Sequence, residues 1–213
     1  MKETVVVLGM HSSGTSMISG ILHAIGINMN PNPGGKVRHY KTNEDADFFR
    51  LNVQILASLK GGWLEPPTEN QIAGTQFERE IKRLITNRNK NPLWGFKDPR
   101  TCITAPLYHK HLRNPHYILV LRSHEDIAKS IMRRGGKEDA QQWIALSKEY
   151  YRQAEAFLGS VDVPVLRVHS ENLFVKGISA EGEIRRLIKF VGLTDTETAV
   201  VTAMNTILNR GTT

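Results

Sequence analysis

The amino-acid sequence predicts an α/β domain in which a central parallel sheet of about four to five strands carries helices on both faces. Three observations predict it. Short apolar runs, at residues 4–8, 93–97 and 117–121, alternate with longer stretches of helical periodicity. The first of these runs passes directly into a glycine-bounded turn and an apolar-periodic helix. The 213 residues contain no internal repeat and no low-complexity linker, so a single domain over 1–213 is expected.

Each element follows from its local pattern. Residues 4–8 form the first strand, and the turn 9–16 leads into a helix over 17–27. Residues 28–43 hold prolines, glycines and asparagines and read as a long functional loop. Asp45 and Asp47 open a helix that continues through Phe48, Leu51 and Ile55 until Gly61-Gly62 stops it. A helix is expected near 76–86, and 61–74 reads as loop. A second strand covers 93–97, with a short helix after Pro106. The third strand, 117–121, leads into a helix over 125–134 broken by Gly135-Gly136. A long helix over 138–158, a fourth strand over 163–168 and helices over 180–190 and 197–208 complete the chain.

Composition narrows the function classes. Apolar residues make up 40% and charged residues 23%, an ordinary globular profile. No apolar run approaches the roughly 20 residues of a spanning helix, so no membrane segment is expected. The apolar stretch after Lys2 is too short for a signal peptide. The lone Cys102 excludes an internal disulfide and offers no zinc-site spacing, which points to a reducing cytoplasm. The net charge of +7 suits a polyanionic ligand. No basic run is long enough for a nucleic-acid arm and aromatics do not interleave with the cations, so no nucleic-acid partner is expected.

The chemistry concentrates in Gly9-Met10-His11-Ser12-Ser13-Gly14-Thr15-Ser16. A strand, a glycine-bounded turn and a helix N-terminus aim several backbone N–H groups and the positive end of a helix dipole at one spot, which is an anion site. The spacing G-x-x-x-x-G is that of the P-loop. Thr15, however, stands where a nucleotide triphosphatase needs the lysine that reaches the β/γ-phosphates, which argues against ATP or GTP hydrolysis. At the end of the third strand stands Arg122, where a Walker-B strand would carry an aspartate, and Ser130 follows two helical turns later. Strand ends of open α/β sheets are where ligands bind.

Together these segments resemble the P-loop sulfotransferases, and in particular bacterial members with a G-M-H-R-S-G-T-S loop. Arg122 through Ser130 is similar to their second signature, Phe96-Lys97-Asp98-Pro99-Arg100 to their K-D-P-R segment, and Glu44 through Asn52 to their E-x₇-N helix. The resemblance covers about residues 4–174. It implies a P-loop-type three-layer sandwich and transfer of a sulfuryl group from 3′-phosphoadenosine 5′-phosphosulfate (PAPS) to a hydroxyl or amine of a small-molecule or glycan acceptor, with no metal required. It also implies roles. Ser12, Ser13, Gly14, Thr15 and Ser16 hold the 5′-phosphosulfate; Arg122 and Ser130 hold the 3′-phosphate; Lys97 stabilises the transferring group; Glu44 is the general base.

One departure stands out. Family members carry lysine or arginine at the position of Ser12, a cation for the leaving oxygen, whereas a hydroxyl donates a hydrogen bond roughly half as strong. Lys97 or another cation must cover that oxygen, or the protein binds the donor without turnover. A small-molecule or nucleotide kinase is the alternative within the fold, with Asp98 as a magnesium ligand. His11 either touches substrate or packs, His39 and His109 are expected at the surface, and Asn209-Arg210-Gly211 resembles a donor contact of cytosolic sulfotransferases.

Overall fold

A computed structural model describes residues 3–29, 44–59, 61–174 and 178–208. Most of the 28–43 loop, with His39, and the Asn209-Arg210-Gly211 segment lie outside them. In chain order the elements are β1 (Glu3–Leu8), α1 (Thr15–Ala24), α2 (Ala46–Ser58), α3 (Glu69–Ala73), α4 (Glu78–Arg88), β2 (Leu93–Lys97), α5 (Thr101–His109), β3 (Pro115–Leu121), α6 (His124–Arg133), α7 (Ala140–Gly159), β4 (Val165–His169), α8 (Glu171–Phe174), α9 (Ile178–Phe190) and α10 (Glu197–Leu208).

Among the described residues the sheet has four strands in the order β2-β1-β3-β4, every pair parallel. Strand side chains alternate between faces, and both faces are apolar. Val6, Leu8, Phe96, Tyr117 and Leu119 meet α2, α4, α5 and α7 on one side. Val5, Val7, Ile118 and Val120 meet α1, α9 and α10 on the other. This is a three-layer sandwich with two cores. Phe48 of α2 stacks on Phe96 with ring centroids 3.7 Å apart, which fixes that helix over β2.

Several boundaries depart from expectation: α1 ends at Ala24, β3 begins at Pro115, α7 begins at Ala140, α8 was not expected, and three further departures have a clear cause. β4 begins at Val165, two residues late: Pro164 has no N–H to give a ladder and contributes only its carbonyl, which accepts from Tyr117 N at 3.0 Å. α5 begins at Thr101 and carries Pro106 inside it, where only a helix after the proline was expected. The ring removes one rung, but buried Cys102, Ile103, Ala105 and Tyr108 hold the helix to the core on both sides of it. α3 occupies part of the expected 61–74 loop, started by a capping box in which Thr68 and Gln71 serve each other's backbone. Among the described residues no helix is long and apolar enough to cross a membrane.

Candidate functional site

The loop between β1 and α1 sits at the carboxyl edge of the sheet, beside the ends of β2 and β3. Its sharpness requires glycine at two points. A Cβ on Gly9 would lie 2.9 Å from the Val120 carbonyl oxygen, and one on Gly14 would lie 2.8 Å from Ser170 Cβ. Gly14 also takes a left-handed φ of 98°. Among the described residues no side chain caps α1, and its N-terminus opens onto the loop, with Met17 N donating to the Gly14 carbonyl at 2.9 Å. Ser12 adopts φ 68°, which costs a non-glycine residue about 1–3 kcal/mol. Two contacts oppose that strain. Arg122 Nη1 donates to the Ser12 carbonyl at 3.0 Å, and Gly9 N donates to Cys102 Sγ at 3.1 Å. Burial pushes the Cys102 thiol up to about 12, so it serves there as an inert acceptor.

Glu44 and Lys97 face this loop as a pair. Lys97 Nζ donates to Glu44 Oε1 at 3.1 Å and to Ser16 Oγ at 3.3 Å, and its side chain is fully enclosed. The next residues carry the pair. Asp45 N donates to the Lys97 carbonyl at 3.3 Å, while the Asp45 carboxylate caps α2 and accepts from Arg88 Nε at 3.2 Å. Two turns further along, Asn52 Nδ2 donates to Asp98 Oδ1 at 3.0 Å and to Thr101 Oγ1 at 3.2 Å. Asn52 Oδ1 accepts from Thr104 at 2.7 Å and from Tyr108 at 2.8 Å. The helix segment Glu44–Asn52 and the strand-end segment Lys97–Arg100 are therefore clipped together at two levels. Asp98 is spent on this clip, for its other oxygen accepts from Arg100 Nη1 at 2.9 Å. Burial raises its pKa above the usual range, with Arg100 opposing. Among the described residues no cluster of His, Cys, Asp and Glu could hold a metal ion.

A cavity of about 470 Å³ brings Ser12, Thr15, Ser16, Glu44 and Lys97 together. Ser13 is buried in the loop behind them. Arg122 reaches the loop through the Ser12 carbonyl, and its own N–H is held by the Tyr151 hydroxyl at 3.1 Å. Ser130 is buried on α6, where its Oγ accepts from Arg134 Nη2 at 2.9 Å. His11 packs its ring against Trp63 at 4.7 Å, and Trp63 stacks on Trp143 at 5.4 Å, which makes an aromatic wall. Burial, and then the charges of Arg100, Lys97 and Arg134, hold the His11 pKa well below its usual value, so the ring is neutral. Lys97 and Arg100, for which solvated positions were the plain alternative, are both buried. His109, expected at the surface, is half-buried, with Nδ1 3.0 Å from the Tyr117 hydroxyl.

No protein-family model matches the chain, and no curated protein matches its sequence. Solved structures do. A sulfotransferase domain from the Synechococcus PCC 7002 olefin synthase superposes with a TM-score of 0.55 at 15% identity, covering 94% of this chain and 76% of that one. Sulfotransferase STF1 from Mycobacterium tuberculosis H37Rv superposes with a TM-score of 0.54 at 15% identity, covering 96% and 71%. The fold is that of the sulfotransferases. Within this sulfotransferase fold, the sequence-level site gains members that spacing did not reveal. Arg134 lines the cavity, and the only signal for it was its place before Gly135-Gly136 at a helix end. Cys102 supports the loop from 93 residues away, a contact no local pattern encodes.

Proposed function

We propose that the protein is a sulfotransferase that moves a sulfuryl group from PAPS to a hydroxyl or amine of a small-molecule or glycan acceptor. One observation carries this reading: the guanidinium of Arg122, at the end of β3, lies 3.0 Å from the carbonyl of Ser12 in the β1–α1 loop. Two anion-binding groups thus stand side by side, as a donor with phosphate at both 5′ and 3′ positions demands. Ser12, Ser13, Gly14, Thr15 and Ser16, at the loop and the N-terminus of α1, receive the 5′-phosphosulfate; Arg122 and Ser130 receive the 3′-phosphate.

The reaction then follows from the Glu44–Lys97 pair. The acceptor enters the cavity beside Glu44, which takes its proton. The acceptor oxygen or nitrogen forms a bond to sulfur. The bond from sulfur to the bridging oxygen breaks, and its electron pair leaves on the 5′-phosphate of 3′-phosphoadenosine 5′-phosphate (PAP). Lys97, preorganised by Glu44 and Ser16, meets the charge on the sulfuryl oxygens in flight. The wall of His11, Trp63 and Trp143 keeps water from competing with the acceptor.

A thermal-shift comparison tests the reading. A ligand at 100 times its dissociation constant stabilises a protein by about 2.7 kcal/mol. PAP is expected to raise the melting temperature, and ATP with magnesium is expected to do so far less. A larger shift with ATP and magnesium would make the protein a kinase of the same fold, and no shift with PAP would overturn the donor assignment.

A further inference from the structure

The loop carries Ser12 where a cation is required for the leaving oxygen, yet the cavity it faces is not short of positive charge. Arg134 stands at the C-terminal end of α6 and lines the same cavity as Ser12, Thr15, Ser16 and Lys97. Lys97 is already committed to Glu44 and Ser16. Among the described residues Arg134 is not committed to an acid. Its side-chain partner is the neutral hydroxyl of Ser130, and the charges that act on it are Arg122 and Arg133, both of its own sign. Glu138 lines the same wall without pairing with it among the described residues. A guanidinium has five N–H donors, so the one bond to Ser130 leaves others for a ligand.

We propose that Arg134 supplies the cation the loop lacks: its guanidinium binds the 5′-phosphosulfate end of the donor, opposite Ser12, and covers the bridging oxygen as it leaves. Two features support that end of the donor over the 3′ end. Arg134 shares its cavity with the loop residues, whereas Arg122 borders a separate depression with Asp126 and Lys129. Its charge is felt at His11, the residue before Ser12. Burial, and then Arg122 and Arg133, lower the Arg134 pKa. Its bond to Ser130, assigned above to the 3′-phosphate, is the contact that would hold it at the other end, and the comparison of PAP with AMP decides between the two ends. The inference rests on the sulfotransferase reading and adds to it the residue that compensates for Ser12.

The test is calorimetry of PAP and of AMP, which lacks the 3′-phosphate, on wild type, Arg134→Gln, Ser12→Arg and Ser12→Arg/Arg134→Gln. Arg134→Gln removes charge from an exposed position, and unchanged melting temperatures of the free proteins confirm folding. The expected result is that Arg134→Gln weakens PAP and AMP by the same factor, about tenfold or more, and that Ser12→Arg in that background restores most of the loss. Four outcomes overturn the proposal: both affinities unchanged in Arg134→Gln, PAP alone weakened, loss without rescue by a folded double variant, or a wild type that binds neither nucleotide. The first three leave the sulfotransferase reading standing, and the fourth removes it as well.

Discussion

The β1–α1 loop and the clip that joins Glu44–Asn52 to Lys97–Arg100 lie against one another, yet they are built on opposite principles. The loop is made of backbone. It holds a left-handed Ser12 and a left-handed Gly14, and it leaves the first turn of α1 without a side-chain cap. The clip is made of side chains, and Asn52 at its centre donates twice and accepts twice within a buried network. Strain and unmet hydrogen-bonding capacity belong where a ligand must bind, and full satisfaction belongs where a reactive pair must not move. The difference teaches that Glu44 and Lys97 owe their position to neighbours that do not line the cavity.

That comparison can be broken most severely in the clip. Asn52→Leu takes the partner of the buried Tyr108 hydroxyl and removes one bond each from Asp98, Thr101 and Thr104, while Asp98 keeps its two bonds from Arg100 and Thr104 its bond to the Arg100 carbonyl, so the expected loss is about 2–4 kcal/mol. Urea unfolding reads it directly, and a loss below about 1 kcal/mol would show that the network is incidental. Among molecules that remain folded, affinity for PAP should change little, because no loop group is altered.

The loop side is sharpened by pH. His11 has a depressed folded pKa, so the unfolded chain binds its proton first as pH falls through about 6.5. The folded state then loses stability by up to about 1.4 kcal/mol for each further pH unit, and it regains that stability above about 6.5. Other buried-side histidines, such as His109 and His124, act in the same direction through burial. The informative quantity is therefore the difference between wild type and His11→Asn. Chemical unfolding at pH 7.5, 6.5 and 5.5 should show the variant losing less stability on acidification, and parallel curves would place His11 outside the strained region.

How much of this was legible in the sequence depends on how far apart the participants lie. The strands were legible because each is a short apolar run, and β2 was placed to the residue. The glycine-bounded turn between β1 and α1 and the strand-to-helix step from Arg122 to Ser130 were legible as local structure because each is contiguous. Local chemistry misled at Pro106, where packing of α5 on both sides outweighs one missing rung. The Thr68–Gln71 capping box was a signal present in the chain, hidden by a stretch of glycine and proline around it. The Lys97–Glu44 bridge spans 53 residues and the Gly9–Cys102 contact spans 93, so only the folded chain joins them. Arg134 shows the same limit more sharply. It follows Arg133, and nothing in the order of two arginines tells which one turns toward the loop.

The account rests on one compound being gripped at both ends, and the affinity ratio of PAP to AMP measures that grip. Calorimetry of both nucleotides on wild type and Arg122→Ala isolates the 3′ contact, since charged hydrogen bonds contribute about 1.5–3 kcal/mol each. The account predicts that wild type prefers PAP by roughly tenfold or more and that the preference collapses in Arg122→Ala. A preference that survives the loss of Arg122 undiminished would contradict it.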